Sequence, residues 1–338
     1  MAAPLTFEPV FMERVWGGRR LATLFGKELP EGAVIGESWE LVDRPGAAES
    51  VVAEGSPFAG RTLGSLWADV GLRPSLFGTA AASLGERFPL LIKLLDCEQT
   101  LSVQVHPPAA VAAALGGEPK TEMWVIVDAA PDACLYAGLR RGVTRAAFEA
   151  ALTAGDDVAA MLHRVPVQRG DVMFLPSGRV HAIGAGNVIV EIQQNSDTTY
   201  RVFDFNRPGL DGRPRELHVP ESLASIDWDD FDPALVEPRG EELVHNEIFR
   251  VDRLSLDRPR VVSSPSSCAV LISVEGSVSC GGSEFPPGRL FLVPAADGAS
   301  LPVAPAGDAP ATVLRAMLPV GDSQAVPQGA VTTGRTPA

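Results

Sequence analysis

Residues 170–187 read GDVMFLPSGRVHAIGAGN. From Gly170, five residues lead to Pro176, one more to Gly178, and two more to His181. This order fits a strand that enters a tight Pro-x-Gly turn and leaves with a histidine at the start of the next strand. Proline and glycine fix the backbone of such a turn. A histidine placed there faces inward and needs a partner. A second stretch offers one. In TLSVQVHPP, residues 100–108, Ser102, Gln104 and His106 share one face, while Val103 and Val105 share the other. That alternation is the pattern of a half-buried strand, stopped here by proline. The chain has only five histidines, so two of them in strand-edge settings stand out.

Outward from these stretches, short apolar runs recur between turns rich in glycine and proline. VVAEG, PLLIKLLD, LSVQVHP, EMWVIVD, VMFLPSG, NVIVEIQQ, YRVFDF, VLISVEGSVSCGG and RLFLVPA all read as strands. AAVAAALGG and TRAAFEAALTAGDDVAAMLHRV read as helical, the latter with Thr144 as N-cap. The pattern predicts a mainly β protein, a sandwich or jelly roll with a short helical insert at about residues 140–165. The acidic, proline-containing stretch DWDDFDPALVEPRGEE predicts a linker or connecting surface loop near residues 228–245. The expected organisation is therefore a domain over residues 1–235, a second over 240–320, and a polar tail over 321–338 without fixed structure.

The 338 residues carry a net charge of −14, with 46% hydrophobic and 21% charged residues. An acidic chain of this kind argues against nucleic acid as partner, since phosphate backbones select basic surfaces. It leaves room for a small anion held by a few inward-facing cations. No apolar run approaches the ~18–20 residues that span a bilayer, so no membrane association is expected. The opening residues MAAPLTFEPVFMERVWGG lack the basic and apolar regions of a secretion signal. The four cysteines, Cys97, Cys134, Cys268 and Cys280, show no CxxC spacing, which suits reduced thiols in the cytoplasm.

The spacing around His181 resembles the second sequence motif of the cupin superfamily, whose double-stranded β-helix holds a metal in its mouth. FPLLIKLLDCEQTLSVQVHP, KTEMW, PSGRVHA and VEIQQNSDTTYRVFDFNR together resemble the type I mannose-6-phosphate isomerases of the short bacterial kind. The likeness runs from VWGG (15–18) and GESWEL (36–41) to RELHVPES (215–222). It implies a cupin jelly roll repeated as two domains, and an enzyme interconverting mannose 6-phosphate and fructose 6-phosphate by proton transfer between C1 and C2 through an enediol(ate). It also implies one Zn2+ per chain, held by Gln104, His106, Glu122 and His181. Imidazole nitrogens and carboxylate oxygens suit zinc, and a neutral glutamine oxygen leaves the metal more positive charge with which to polarise a sugar oxygen.

The same resemblance places Glu191, Lys120, Arg201 and Asp197 around the sugar. Glu191 would transfer the proton with support from Lys120, Arg201 would stabilise oxyanion charge, and Asp197 would assist ring opening. Lys93, Ser102 and Arg207 stand at phosphate-binding positions. Trp16 and Trp39 are expected to pack at the pocket rim. His163, His218 and His245 lack comparable context and are read as structural. The expected partner is a phosphorylated hexose, and the expected state a monomer or homodimer.

Departures from the pattern are specific. Pro108 follows His106-Pro107 where relatives carry Asp or Asn, so the next helix is expected to lack a side-chain cap. In the last third, Gly288 and Pro294 repeat the opening spacing, but Ala296 and Ala299 occupy the glycine and histidine slots. A second, metal-free jelly roll is expected there. Two other functions fit parts of the pattern. A cupin metal oxygenase would use two histidines and a carboxylate. A non-catalytic sugar- or metal-binding bicupin would keep the ligands and lose the acid/base set.

Overall fold

A computed structural model describes residues 3–295 and 301–319. Ala296, Ala299 and the tail over 321–338 lie outside the described residues. The architecture is mainly β, arranged among the described residues as two pairs of sheets and a two-stranded ribbon of Asp43–Arg44 with Ala48–Glu49.

The first pair carries the stretches that open the sequence analysis. Its six-stranded sheet runs, in spatial order, Val172–Leu175, Glu122–Ala129, Asn187–Gln194, Leu90–Cys97, Ile35–Leu41 and Val10–Gly18. Its five-stranded partner runs Leu162–Pro166, Cys134–Leu139, His181–Ile183, Val103–Val105 and Tyr200–Phe203. Both sheets are antiparallel throughout. Apolar side chains from the two inner faces meet in one cluster, including Leu95, Trp124, Ile126 and Ile189 from one sheet and Leu135, Ala137 and Ile183 from the other.

The six-stranded sheet is buried on its outer face too. Ile92, Leu94, Val125, Val190 and Ile192 pack there against Trp67 and Phe77 of two short helices, and against Val251, Val270 and Leu292 of the second pair of sheets. A sheet covered on both faces needs apolar residues at nearly every position. That is why PLLIKLLD and NVIVEIQQ read as unbroken apolar runs. It is also why the few polar residues on the inner face are informative.

The second pair holds a six-stranded sheet, including Ala269–Glu275 and Ala311–Met317, and a four-stranded one. The N-terminal strand Leu5–Thr6 joins this sheet, pairing with Leu292 and Phe291. The stretch expected to link the two halves is a packed strap. Phe231 bridges Leu139, and the Val236 N–H donates to the Val172 carbonyl at 2.8 Å.

Local expectations meet mixed outcomes. NVIVEIQQ is a strand over its full length, and the Thr144 hydroxyl caps the helix Arg145–Ala154 by accepting from the Ala147 N–H. The helix after Pro108 has no side-chain cap and lasts only from Ala109 to Ala112. VVAEG is not a strand. Val51 and Val52 make only isolated bridges, to Thr62 and Phe7, because a turn over residues 54–60 brings the chain straight back and no continuous neighbour is available to pair with.

Candidate active site and metal centre

Strand alternation aims the polar residues of the six-stranded sheet. In Asn187–Gln194, Val188, Val190 and Ile192 pack outward, so Ile189, Glu191 and Gln193 point inward. Register then sets the neighbours. Glu191 is paired with Lys93 on one side and Trp124 on the other. The Trp124 indole N–H donates to Glu191 Oε2 at 2.9 Å, and Lys93 Nζ lies 3.1 Å from Oε1.

The five-stranded sheet contributes a row. Gln104 pairs with His181 on one side and Arg201 on the other. Val103, Val105, Tyr200 and Val202 pack away from the cleft, which leaves Gln104 and Arg201 facing into it. Gly178 has φ of +97°, a conformation only glycine adopts without strain. Its N–H donates to the His106 carbonyl at 2.8 Å. The turn is thereby tied to the strand end that carries the other histidine.

His106, Glu122 and His181 converge between the sheets, with ligand atoms all within 4.8 Å of one another. His106 Nε2 lies 3.5 Å from Glu122 Oε2, and His181 Nε2 lies 3.4 Å from Oε1. Each imidazole is oriented from behind. His106 Nδ1 contacts the Thr198 carbonyl and His181 Nδ1 the Arg179 carbonyl, both at 2.8 Å. Because a carbonyl only accepts, Nδ1 carries the proton, and each neutral ring turns a bare Nε2 lone pair toward Glu122. Burial first, and the Lys120 ammonium second, push His106 down to about 4. Burial likewise lowers His181 against the pull of Glu122, so both rings are in the neutral form at physiological pH.

The result is an acceptor-only cluster. His106 Nε2 and Glu122 Oε1 are buried without a hydrogen-bond partner. Buried acceptors that face one another cost free energy unless something positive sits among them. Lys120 supplies part of that charge, with Nζ 2.9 Å from Glu122 Oε2. Burial would raise the Glu122 carboxyl, but Lys120 and the two histidines outweigh it and hold it well below the usual range. The Gln104 amide completes the group, its Nε2 lying 3.3 Å from His181 Nε2. A half-turn of that amide presents its oxygen to the same point. Two imidazole nitrogens, a carboxylate and an amide oxygen form a donor set that suits a divalent metal such as zinc.

A cleft of about 550 Å³ adjoins this cluster through Gln104 and Lys120, and Lys93, Ser102, Gln104, Lys120, Glu191, Asp197 and Arg201 all line it, whereas His106, Glu122 and His181 lie buried behind its wall. Arg207 does not. Asp204 pairs with it at 2.9 Å, and its Nη1 donates to the Thr100 carbonyl at 2.5 Å. Trp39 is also not at the rim. It is buried behind the cleft wall, under Lys93 Nζ at 5.0 Å, and its indole donates to Glu37 at 2.5 Å. Trp16 does line the cleft.

Sequence reasoning passed over Arg14, Glu37 and Arg215, which line the cleft as well. Glu37 sits within GESWEL, beside a tryptophan, and an acid in a strand buried at every position was a readable signal. Burial would raise its carboxyl, but Lys93, Arg14 and the Trp39 N–H hold it at about 2. Arg215 left no comparable signal, since it lies in a polar loop. The four cysteines are free and buried. His163 and His245 lie beside Asp232 and Glu242, at 3.5 and 3.6 Å, and His218 Nδ1 accepts from the Arg201 N–H.

A family model for the catalytic domain of type I phosphomannose isomerase matches residues 5–132. The mannose-6-phosphate isomerase ManA of Bacillus subtilis is 42% identical over 229 residues, covering 66% of this chain and 68% of that protein. The crystal structure of the mannose 6-phosphate isomerase from Bacillus subtilis has a TM-score of 0.79 at 30% identity, covering 93% of this chain and 99% of that one. A mannose 6-phosphate isomerase bound with zinc and yttrium shares the fold, with a TM-score of 0.71 at 19% identity over 94% of this chain and 100% of that one. On its sequence identity and coverage, the chain belongs to the type I phosphomannose isomerases.

Proposed function

We propose that this protein is a zinc-dependent mannose-6-phosphate isomerase, acting by proton transfer between C1 and C2 through an enediol(ate). The observation that carries this reading is the acceptor-only cluster of His106, Glu122 and His181 beside a cleft that Gln104, Lys120 and Glu191 line. Gln104 would be the fourth ligand. A bound zinc would supply a Lewis acid that polarises the sugar's carbonyl and hydroxyl oxygens.

The chain's own residues do the rest. Glu191 is fixed by the Trp124 N–H on Oε2 and by the Lys93 ammonium 3.1 Å from Oε1. Its carboxylate, which lines the cleft, would take the proton from C2 and return it to C1. Lys120 remains an ammonium. Burial lowers its pKa, but Glu122 and Glu191 more than offset this and raise it above the ordinary value. It would then donate to oxygen as negative charge develops. Arg201 and Asp197 line the same cleft, and we assign them to oxyanion stabilisation and ring opening.

We further propose that residues 1–235 form the catalytic unit and 240–320 a supporting one. In support, the ligand-type cluster among the described residues lies wholly in the first, and the second covers the outer face of the first sheet. The test is a coupled assay of mannose 6-phosphate turnover on chelated and zinc-restored protein. Turnover should vanish on chelation and return with zinc. Absence of turnover in the zinc-restored protein would refute the reading.

A further inference from the structure

Five cations and five carboxylates line the cleft, but they are not evenly paired. Arg14 is held by Glu37, with Nε 2.9 Å from Oε1. Lys93 lies between Glu191 at 3.1 Å and Glu37 at 3.8 Å. Lys120 rests on Glu122. Two lining guanidiniums remain, Arg201 and Arg215. Arg201 makes no ion pair among the described residues. Its side chain donates to the Glu216 carbonyl at 2.8 Å, and its Nε is buried without a partner.

Arg215 is presented by a fork. Asp204, itself buried, accepts from Arg215 Nε at 2.6 Å and Nη2 at 2.5 Å, and from Arg207 Nε at 3.0 Å. One carboxylate thus serves two arginines, and only Arg215 lines the cleft. Arg207 turns the other way and donates to the Thr100 carbonyl, two residues before Ser102, which lines the cleft. Arg207 therefore clamps the Ser102 segment to the carboxylate that holds Arg215. Arg201, Arg207, Arg215 and Asp204 together carry +2, and Asp211, which also lines the cleft, brings the group to +1, so a phosphate monoester of about −1.5 to −2 meets net positive charge. The electrostatic cost is already visible: burial, then Arg215, lower the Arg201 pKa.

Building on the proposed function, we infer that Arg215 receives the substrate's phosphate, and that Arg207 is a positioning residue acting through Asp204. This moves the anion seat away from Lys93 and Arg207, the cations that the family resemblance implied. A planar guanidinium matches phosphate geometry with two parallel donors, which a lysine cannot reproduce.

The experiment compares zinc-loaded wild type with Arg215→Met, Arg215→Lys, Arg207→Met and Arg207→Lys, after thermal unfolding and metal content establish that each is folded and loaded. KM and kcat for mannose 6-phosphate and the inhibition constant for inorganic phosphate are measured. Arg215→Met should raise both KM and the phosphate constant by roughly 10- to 100-fold, the worth of a charge-assisted hydrogen bond, with kcat changed much less. Arg215→Lys should recover only part. Arg207→Met should raise KM less, and Arg207→Lys should restore it, since a cation on Asp204 is all that position requires. The inference is overturned if Arg215→Met stays within about twofold of wild type, or if Arg207→Met has the larger effect and lysine does not rescue it. Calorimetric titration with inorganic phosphate separates this inference from the isomerase reading. If wild type fails to isomerise yet binds phosphate and Arg215→Met does not, the seat stands and the isomerase reading falls. If wild type does not bind phosphate, the seat falls.

Discussion

Gln104 and His181, 77 positions apart, are direct antiparallel partners, and their side chains meet at 3.3 Å. Neither residue is chosen for strand stability. Both sit where alternation and register aim them at Glu122. Gln104→Leu removes one neutral donor and leaves the three-residue cluster intact, so zinc affinity should fall by about 10- to 100-fold. Glu122→Ala removes the charged centre of the cluster and should abolish stoichiometric zinc. Metal content after dialysis against a competing chelator checks both. A Gln104→Leu protein that retains zinc as tightly as wild type would show that the amide is not a ligand.

Glu191→Gln keeps the Trp124 contact and the side-chain volume but removes the carboxylate proposed as the base. The expected outcome is a loss of roughly 10²- to 10⁴-fold in kcat with KM little changed. Exchange of the substrate's C2 proton with solvent should slow in parallel. Loss of turnover without loss of exchange would assign the proton transfer to another group.

How far the sequence reaches is clear from single residues. The polar faces of Val103–Val105 and Asn187–Gln194 were legible because their periodicity survives in one dimension. Glu122 and Lys93 needed the resemblance, since a charge within a doubly buried strand looks like an interruption until register gives it a partner. Arg207 stands where the resemblance expects a phosphate ligand, but the neighbouring carboxylate of Asp204 pairs with it and it does not line the cleft. Arg215 is the converse case, because a loop over residues 205–214 returns it to the cleft and no local pattern encodes that return. VVAEG failed for the same reason: β propensity was present, but the turn that follows denied it a continuous partner strand.

Acid should weaken the cleft wall through Glu37. Its carboxyl is held at about 2, below the ordinary 4.5. A depressed folded-state value means that the stabilisation is fully present above the unfolded pKa and is lost as pH falls from about 4.5 toward 2. The shift corresponds to about 3 kcal/mol at most. Glu37→Gln should therefore be less stable than wild type at pH 7 and show a flatter dependence below pH ~4.5. Urea midpoints between pH 3 and 7 make the comparison. Parallel curves for the two proteins would remove Glu37 from the explanation.

Gly17 and Gly36 touch backbone to backbone where two strands of the six-stranded sheet cross. A Cβ on Gly17 would lie 2.3 Å from the Gly36 nitrogen and 2.5 Å from the Ile35 carbonyl carbon. Backbone atoms cannot rotate aside as a side chain can, so Gly17→Ala must push the strands apart. The cost should be about 1–3 kcal/mol, read as a lower unfolding midpoint. Because Arg14 and Glu37 sit on the same two strands, the pairing between them should loosen as well.

The strap between the two halves is anchored by an ion pair. Asp230 grips Arg179 with two hydrogen bonds, at 2.7 and 2.8 Å, and Arg179 Nη1 donates to the Phe174 carbonyl at 2.6 Å. The carbonyl of the same arginine fixes His181 Nδ1. The acidic strap thus reaches the metal-type cluster through one residue. Asp230→Asn cannot accept both bonds with full charge and leaves the guanidinium, 14% exposed, without a counter-ion. A loss of about 1.5–3 kcal/mol follows from weakening a charge-assisted pair. A purely structural role predicts only that loss. A role in orienting His181 predicts, in addition, faster zinc release from protein that is still folded, and stopped-flow chelation well below the unfolding transition distinguishes the two. Unchanged release rates in folded Asp230→Asn would confine the pair to stability.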